Sequence, residues 1–336
     1  MPDRPPARTA ADLLGAAVVV RLALAVPFRG LMSRDAVLLP GEAGWGEWAP
    51  FPDSTPSAVR SWWRAAREAA LVGWPAPRRD RVPVNATVPA VPADQVAGVL
   101  ARFPGTTTAK VKVAQVGQTP ADDLDRLAAT RDRLGSGGRI RVDVNAAWDL
   151  DTAVRLLPAY ERAAGGLEYV EQPCRSLDEL AALRRRTDLR VAVDESVRAA
   201  ADPERVVREQ AADVVVVKVP HLGGVRAGLA VAERVGLPVV VSSALDSSVG
   251  LAAGVALAAA LPDLPFACGL GTAALLAEDV TDDPLLPVHG AVPVRPVRVS
   301  ADRLAVLAAG PHETMGWRQR LAVVAGDVAA GAGGEP

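Results

Sequence analysis

A chain of 336 residues, 50% hydrophobic and 23% charged, is long enough for one large core and a smaller second domain. With 37 basic and 39 acidic residues its net charge is −2, which gives no basis for a nucleic-acid partner. Two cysteines, Cys174 and Cys268, exclude a disulfide framework; with no CxxC pair they also make a cysteine metal site or nucleophile a poor expectation. Residues 1–12, rich in Pro, Arg and Ala, read as loose, and the apolar run that follows lacks an export pattern. The Ala-rich stretch Val249–Leu261 is too short to span a bilayer and reads as a packed helix. A cytoplasmic protein with no membrane contact is expected, a monomer being the simplest assembly.

AVVVRLALAVPF has strand character, and FRGLMSRDAVLLPGEAGWGEWAPF continues it, with Gly30, Gly41, Gly44 and Gly46 as turn points and a turn near Pro40–Gly41. Residues 54–72 read as a helix capped by Ser or Thr. Trp62, Trp63 and Trp74 are read as core or interdomain packing rather than cleft walls. Residues 1–80 are thus expected to form an α+β domain distinct from the rest of the chain.

From residue 81 the pattern changes to strand–helix alternation. RVPVNATVPA (81–90) reads as a first strand and ADQVAGVLARF as its helix. Strands follow in TAKVKVA, GRIRVDVN, LEYVEQP, LRVAVDES, DVVVVKVP and LPVVVSS, each separated by a helical stretch, and LPFACGLGT supplies a short eighth. Repeated strand–helix units imply a parallel sheet, here a barrel over 81–288. Residues 289–322 are expected to return to the first domain, and 323–336, rich in Ala and Gly, to form a loose tail.

The charged residues fall at the strand ends. Asp143, Glu171 and Asp194 close three successive strands, and Lys218 a fourth; the intervals are 28, 23 and 24 residues, each fitting one strand, one helix and two loops. Lys110 and Lys112 alternate along one strand and share a face. A closed parallel barrel gathers all these ends at one rim. Three carboxylates there repel one another, and oxygen ligands favour Mg²⁺ or a similar hard cation such as Mn²⁺. A lysine beside other cations and partly desolvated can serve as a base. Metal and lysine together suit proton abstraction next to a carboxylate, so a small-molecule carboxylate is the expected substrate. His221, His289 and His312 lack metal-site spacing and read as structural or exposed.

With KVK at 110–112, DVN at 143–145, EQP at 171–173, DES at 194–196 and KVPHLGG at 218–224, the chain resembles the muconate-lactonizing subgroup of the enolase superfamily over nearly its whole length. The resemblance implies an α/β fold: a modified TIM barrel, (β/α)₇β, closed by an α+β capping domain built from both chain ends. It implies Mg²⁺ on Asp143, Glu171 and Asp194, Lys112 as acid/base, Lys218 facing it across the substrate, and Lys110 assisting by charge. PFRGLMSRD at 27–35, GWGEWAPF at 44–51 and SSALDSSVG at 242–250 are similar to subgroup members that dehydrate a hydroxycyclohexadiene carboxylate in menaquinone synthesis. Racemases of N-acylamino acids, dipeptide epimerases and muconate cycloisomerases share the same barrel motifs. Specificity is expected from the early loop and the last strand ends, with Arg29, Asn145, Ser242, Gly269 and Thr272 as substrate-binding candidates. Arg29 serves equally as a carboxylate partner or as half of a structural salt bridge.

Overall fold

The computed structural model describes residues 10–198 and 202–332. The N-terminal part comprises a short helix α1 (Ala10–Gly15), strands β1 (Val18–Phe28), β2 (Leu31–Pro40) and β3 (Trp45–Trp48), and helix α2 (Pro56–Arg67). The strands form an antiparallel sheet, β1 registering Val20 against Ala36 and β2 registering Leu38 against Glu47. Arg29 and Gly30 make the β1–β2 turn with φ of 52° and 77°, the paired left-handed geometry that matches strand twist. Alternate β1 residues are buried, as a one-sided sheet requires. Thr55 caps α2 by accepting from the Ala58 N–H at 3.3 Å, and Glu68–Val72 continues the helix as a π-helical turn. Gly46 lies within β3 rather than at a turn: a Cβ there would stand 2.1 Å from the Ala66 carbonyl oxygen, so only glycine lets sheet and helix approach.

The barrel part carries β4 (Arg81–Pro83), β5 (Ala86–Val88), α3 (Val96–Leu100), β6 (Thr108–Lys112), α4 (Pro120–Leu134), β7 (Arg139–Asp143), α5 (Leu150–Ala164) and β8 (Tyr169–Glu171). There follow α6 (Leu177–Arg184), β9 (Val191–Val193), α7 (Glu195–Arg198), α8 (Arg205–Arg208), β10 (Val214–Val217), α9 (Val219–Leu222), α10 (Val225–Val235), β11 (Val239–Val241) and α11 (Ser248–Ala260). Strands β5 to β11 form one parallel sheet in sequence order. Cys268 and Gly269 close it, Gly269 pairing with Ser242 after β11 and Cys268 with Val84 before β5. Seven strand–helix units and this short eighth strand make the expected (β/α)₇β barrel.

Several expectations change. The stretch 81–90 is not one strand: Arg81–Pro83 pairs antiparallel with β12 (Ala291–Pro293), and the barrel strand starts past Pro83, which has no N–H to give a ladder. The helix expected across ADPERVVREQAA is ordered as α8 alone within the described residues. The chain then returns through α12 (Ala301–Val306) and α13 (Pro311–Ala332). Bonds from Arg21 N–H to the Leu307 carbonyl and from Ala309 N–H to that of Val19 tie it to β1. The loose tail expected for 323–336 is instead helical to Ala332, because Val324 and Ala325 bury against the core; residues 333–336 lie outside the described part.

Barrel and capping part are joined through helix α11, whose residues are buried on nearly every side. Its first N–H groups have no partner within the helix. Glu47 of β3 accepts from the Ser247 N–H at 3.3 Å, the Gly250 N–H at 3.1 Å and the Ser247 hydroxyl. Asp279 accepts from the Ser248 N–H at 3.1 Å and its hydroxyl at 2.6 Å. Burial, then the neighbouring Asp246, pushes Glu47 up to about 8 from its ordinary 4.5. Folded Glu47 thus keeps a proton that the unfolded chain has lost, so its contribution is complete below pH 4.5 and fades as pH rises through about 8. The melting temperature of the native protein should therefore fall more between pH 5 and pH 8.5 than that of Glu47→Gln, which cannot ionise. Parallel curves in scanning calorimetry would show that Glu47 is charged throughout.

Candidate active site

Strand alternation decides which side chains meet. In β6, Ala109 and Val111 face the helices while Lys110 and Lys112 face inward; in β7, Arg141 and Asp143 do the same. Lys112 registers with Asp143, and Asp143 with Glu171. Asp194 and Lys218 follow β9 and β10 by one residue, on the inward face shared by Ala192 and Val216. Below this layer Tyr169, Ala192, Val214, Val216 and Val240 fill the barrel as an apolar cluster. Arg141 plugs the floor, 4.6 Å from the Tyr169 ring, donating to Glu168 and, at 2.7 Å, to the Ala267 carbonyl.

The six charged groups interlock. Lys110 Nζ donates to Asp143 at 3.0 Å and to both Glu171 oxygens at 2.9 and 3.1 Å. Lys112 donates to Asp143 and, at 2.9 Å, to Asn145 Oδ1. Lys218 donates to Asp194 at 2.6 Å. Burial opposes charge on Asp143, yet Lys110 and Lys112 hold it well below the usual carboxylate range. Burial, reinforced by Asp143, pushes Glu171 up to about 7. Burial likewise opposes charge on Lys110, but Asp143 and Glu171 keep it well above the usual lysine range. Lys112 moves the other way: burial, aided by Lys110 and Lys218 and resisted by Asp143, holds it below that range. A lysine so placed loses its proton more readily, as a general base must.

Among the described residues no three acidic, histidine or cysteine side chains stand together as a ready cation cage, because lysine ammoniums lie between the carboxylates. The donor chemistry nonetheless fits a hard divalent ion: three carboxylates end adjacent strands, and Glu171 is raised by burial and then by Asp143 and Asp194.

The cleft above is lined by Lys110, Lys112, Lys218, Asn145, Arg29, Ser242 and Thr272, bringing together four of the five substrate-binding candidates. Gly269 is not among them. Its N–H is spent on the Val241 carbonyl in barrel closure, so it does not serve an anion, and a Cβ there would meet Ser242 Oγ at 2.5 Å. Thr272 instead pairs its hydroxyl with Ser243 at 2.6 Å. Phe28 opens the early loop expected to give specificity, and Phe51, Thr87, His221, Ser243 and Leu245 line the cleft without having been singled out from sequence. Phe28 and Phe51 come from the capping part, and the Phe28 ring centre is 5.7 Å from Lys112 Nζ. His221, read as structural or exposed, reaches the wall one helical turn after Lys218 and sits edge-on to Trp62, 5.6 Å away. That spacing was its one sequence signal. Trp62 and Trp63 are themselves buried, as their packing role requires. Gln172, also unremarked, accepts from the Asp194 and Ser196 N–H groups at 3.0 and 3.2 Å and so fixes the backbone carrying Asp194. Burial raises the thiols of Cys174 and Cys268 to about 12 and about 11, and neither lines the cleft.

Comparison with known proteins places this geometry. The "Enolase C-terminal domain-like" family model matches residues 93–297, and the "Enolase N-terminal domain-like" one residues 19–70. The chain is 58% identical to an o-succinylbenzoate synthase of Thermobifida fusca over 89% of this chain and 94% of that protein. It is 50% identical to the o-succinylbenzoate synthase of Mycolicibacterium smegmatis, over 92% and 95%. The chain belongs to the enolase superfamily, within its o-succinylbenzoate synthase branch. Enolase-superfamily architecture is equally plain in solved structures. Muconate lactonizing enzyme from Pseudomonas fluorescens aligns with a TM-score of 0.75 at 21% identity, covering 87% of this chain and 98% of that one. The L-Ala-D/L-Glu epimerase of Bacillus subtilis aligns at 0.71 and 22%, covering 84% and 96%. At such identities these two speak for the fold.

Removing one partner of a buried ionic cluster leaves an uncompensated charge, at a cost of about 3–5 kcal/mol. Lys110→Met should therefore lower the unfolding free energy, measured by denaturant titration in metal-free buffer, by that amount. An unchanged midpoint would mean that water already screens the carboxylates.

Proposed function

We propose that this chain is an o-succinylbenzoate synthase, dehydrating 2-succinyl-6-hydroxy-2,4-cyclohexadiene-1-carboxylate to o-succinylbenzoate and water in menaquinone synthesis. The observation that carries the reading is Lys112, a buried lysine with a lowered proton affinity, facing a cleft it shares with Lys218 and backed by three carboxylates. The likeness to o-succinylbenzoate synthases over nine-tenths of the chain supports the choice of substrate.

Asp143, Glu171 and Asp194 would hold Mg²⁺, with Mn²⁺ able to replace it. When bound, the ion supplies Lewis-acid stabilisation of the substrate carboxylate as negative charge builds there. Lys112, once it has released its own proton, takes the proton from the ring carbon bearing the carboxylate. Lys218, its ammonium on the same cleft, stabilises the enediolate charge that results. The ring hydroxyl then leaves from the same face, receiving the proton that Lys112 has just taken, so water departs and the ring becomes aromatic. Asn145 orients Lys112 through its Oδ1, and Lys110 donates to both Asp143 and Glu171, holding Asp143 ionised. Phe28, Phe51 and Leu245 exclude bulk water from the ring, while Arg29, Ser242 and Thr272 supply polar contacts for the substrate's charged and carbonyl groups.

The metal assignment predicts that dialysis against EDTA abolishes turnover and that Mg²⁺ or Mn²⁺ restores it. Asp194→Asn should weaken Mg²⁺ binding in calorimetry while the far-ultraviolet spectrum stays native. Full turnover in demonstrably metal-free protein would overturn it.

The base assignment predicts that Lys112→Ala loses about 10²–10⁴-fold in kcat, since no other positioned base replaces it. Lys218→Ala should fall by about 10²–10³-fold through lost charge stabilisation. Dehydration followed by absorbance measures both, and near-native rates in Lys112→Ala would refute its role. A parallel assay with N-succinyl amino acids and dipeptides in deuterated water tests the substrate. Fast epimerisation without dehydration would replace the synthase reading by a racemase one.

A further inference from the structure

Behind Lys112, on the side away from the cleft, the helix layer carries a second buried ionic group. Arg126 and Asp123 of α4 are 0% and 1% exposed. Arg126 Nη1 donates to the Lys112 carbonyl at 3.0 Å and to Asp123 Oδ1 at 2.8 Å. Its Nε donates to the Val91 carbonyl at 2.6 Å and its Nη2 to Gln118 Oε1 at 2.6 Å. Gln118 in turn donates to the Ala90 carbonyl at 2.8 Å. Asp123 Oδ2 accepts from the Ala114 N–H at 2.8 Å and from the Tyr160 hydroxyl of α5 at 2.7 Å. Ala114 is left-handed, with φ of 57°, a conformation that needs outside support in a residue with a Cβ.

Merely fastening a helix to a sheet does not require such a group. Apolar residues of similar volume do so at least as well as a buried ion pair. What the pair adds is direction: it grips the carbonyl of residue 112 and the N–H of residue 114, the stretch of backbone from which the base projects. It also holds the chain leaving the preceding strand, at residues 90 and 91. Burial, then Asp123, pushes the Tyr160 phenol upward, so it stays a donor to that carboxylate.

We propose that Asp123 and Arg126, steadied by Tyr160, are positioning residues that set the reach of Lys112 to the substrate carbon. This rests on the reading of Lys112 as the base. They touch neither substrate nor the carboxylates of the cleft; they act through the backbone. Proton abstraction depends on reacting atoms within about 3–3.5 Å, and a misplacement of about 1 Å costs roughly 10²-fold.

The test uses the intact chain with Mg²⁺. Native protein is assayed first for dehydration; absence of turnover there overturns the functional reading and this inference with it. Given native turnover, Asp123→Asn and Arg126→Lys should lower kcat by about 10²-fold and Tyr160→Phe by about 10-fold, with KM changed less than about 3-fold. Deuterium at the abstracted position should slow the variants more than it slows the native protein, because proton transfer becomes the limiting step. Leu127→Ala, a fully buried apolar change on the same helix, is the control: it should lower the melting temperature and leave kcat and the isotope effect native. Native kcat in folded Asp123→Asn, or an equal kcat loss in Leu127→Ala, would overturn the proposal. Should Asp123→Asn and Arg126→Lys fail to fold, Tyr160→Phe, which loses one hydroxyl, decides by the same readouts.

Discussion

Six ionisable side chains, five buried and Lys218 partly so, gathered at one end of the barrel, form the constraint on which the rest of this structure depends. An isolated charge taken from water costs several kcal/mol, so neither the lysines nor the carboxylates tolerate burial alone. Lys110, Lys112 and Lys218 stand against Asp143, Glu171 and Asp194, equal in number and joined by hydrogen bonds. The balance makes the proton affinities of Lys110, Lys112, Asp143 and Glu171 properties of the group. Asp143 is forced to stay charged, Glu171 is left near neutrality, and Lys112 is loosened. The same burial that endangers the fold thus loosens the proton on Lys112.

Holding that layer requires a stiff frame, and the frame is polar where it meets the site. Ala114, Asn145, Ala146, Gln172 and Leu245 all have positive φ, and all follow strand ends at the rim of the cleft. Such strain is tolerated where neighbours determine the backbone from several sides. Gln172 does this for Asp194, and the Asp123–Arg126 pair does it for Ala114. Deeper in the barrel, Arg141 and the valine-rich interior serve packing.

The capping part completes the enclosure by a different device. Glu47 reaches from β3 to the N-terminus of α11, and Asp279 takes the neighbouring donors there. Arg34, buried 3.9 Å from the Phe51 ring, backs the aromatic wall of the cleft and donates to the Ala49 carbonyl. The capping part that docks on α11 thus also supplies the aromatic wall of the cleft. No described helix is long and apolar enough to cross a membrane; α11, the most apolar, is consumed by this interface.

The barrel and its charged rim were legible in the sequence because they depend on local periodicity. A strand repeats every two residues, so KVK and the single acids ending valine-rich runs announce an inward face, and near-equal intervals announce equal units. The same signals placed β1, β2 and α2. Pairings between distant segments were not legible. Arg81–Pro83 reads as part of a barrel strand, yet its partner is Ala291–Pro293 across the chain. Gly269 reads as a substrate-binding residue until closure claims its N–H, and the end of the last helix reads as a tail until Val324 and Ala325 find a core to bury against. Phe28 and Phe51 reach the cleft only through the docking of the capping part. The sequence by itself determined the periodic faces and the kinds of charge on them. Tertiary structure alone decided which charges touch, because proton affinity and hydrogen bonding depend on separations of a few ångströms between residues tens of positions apart.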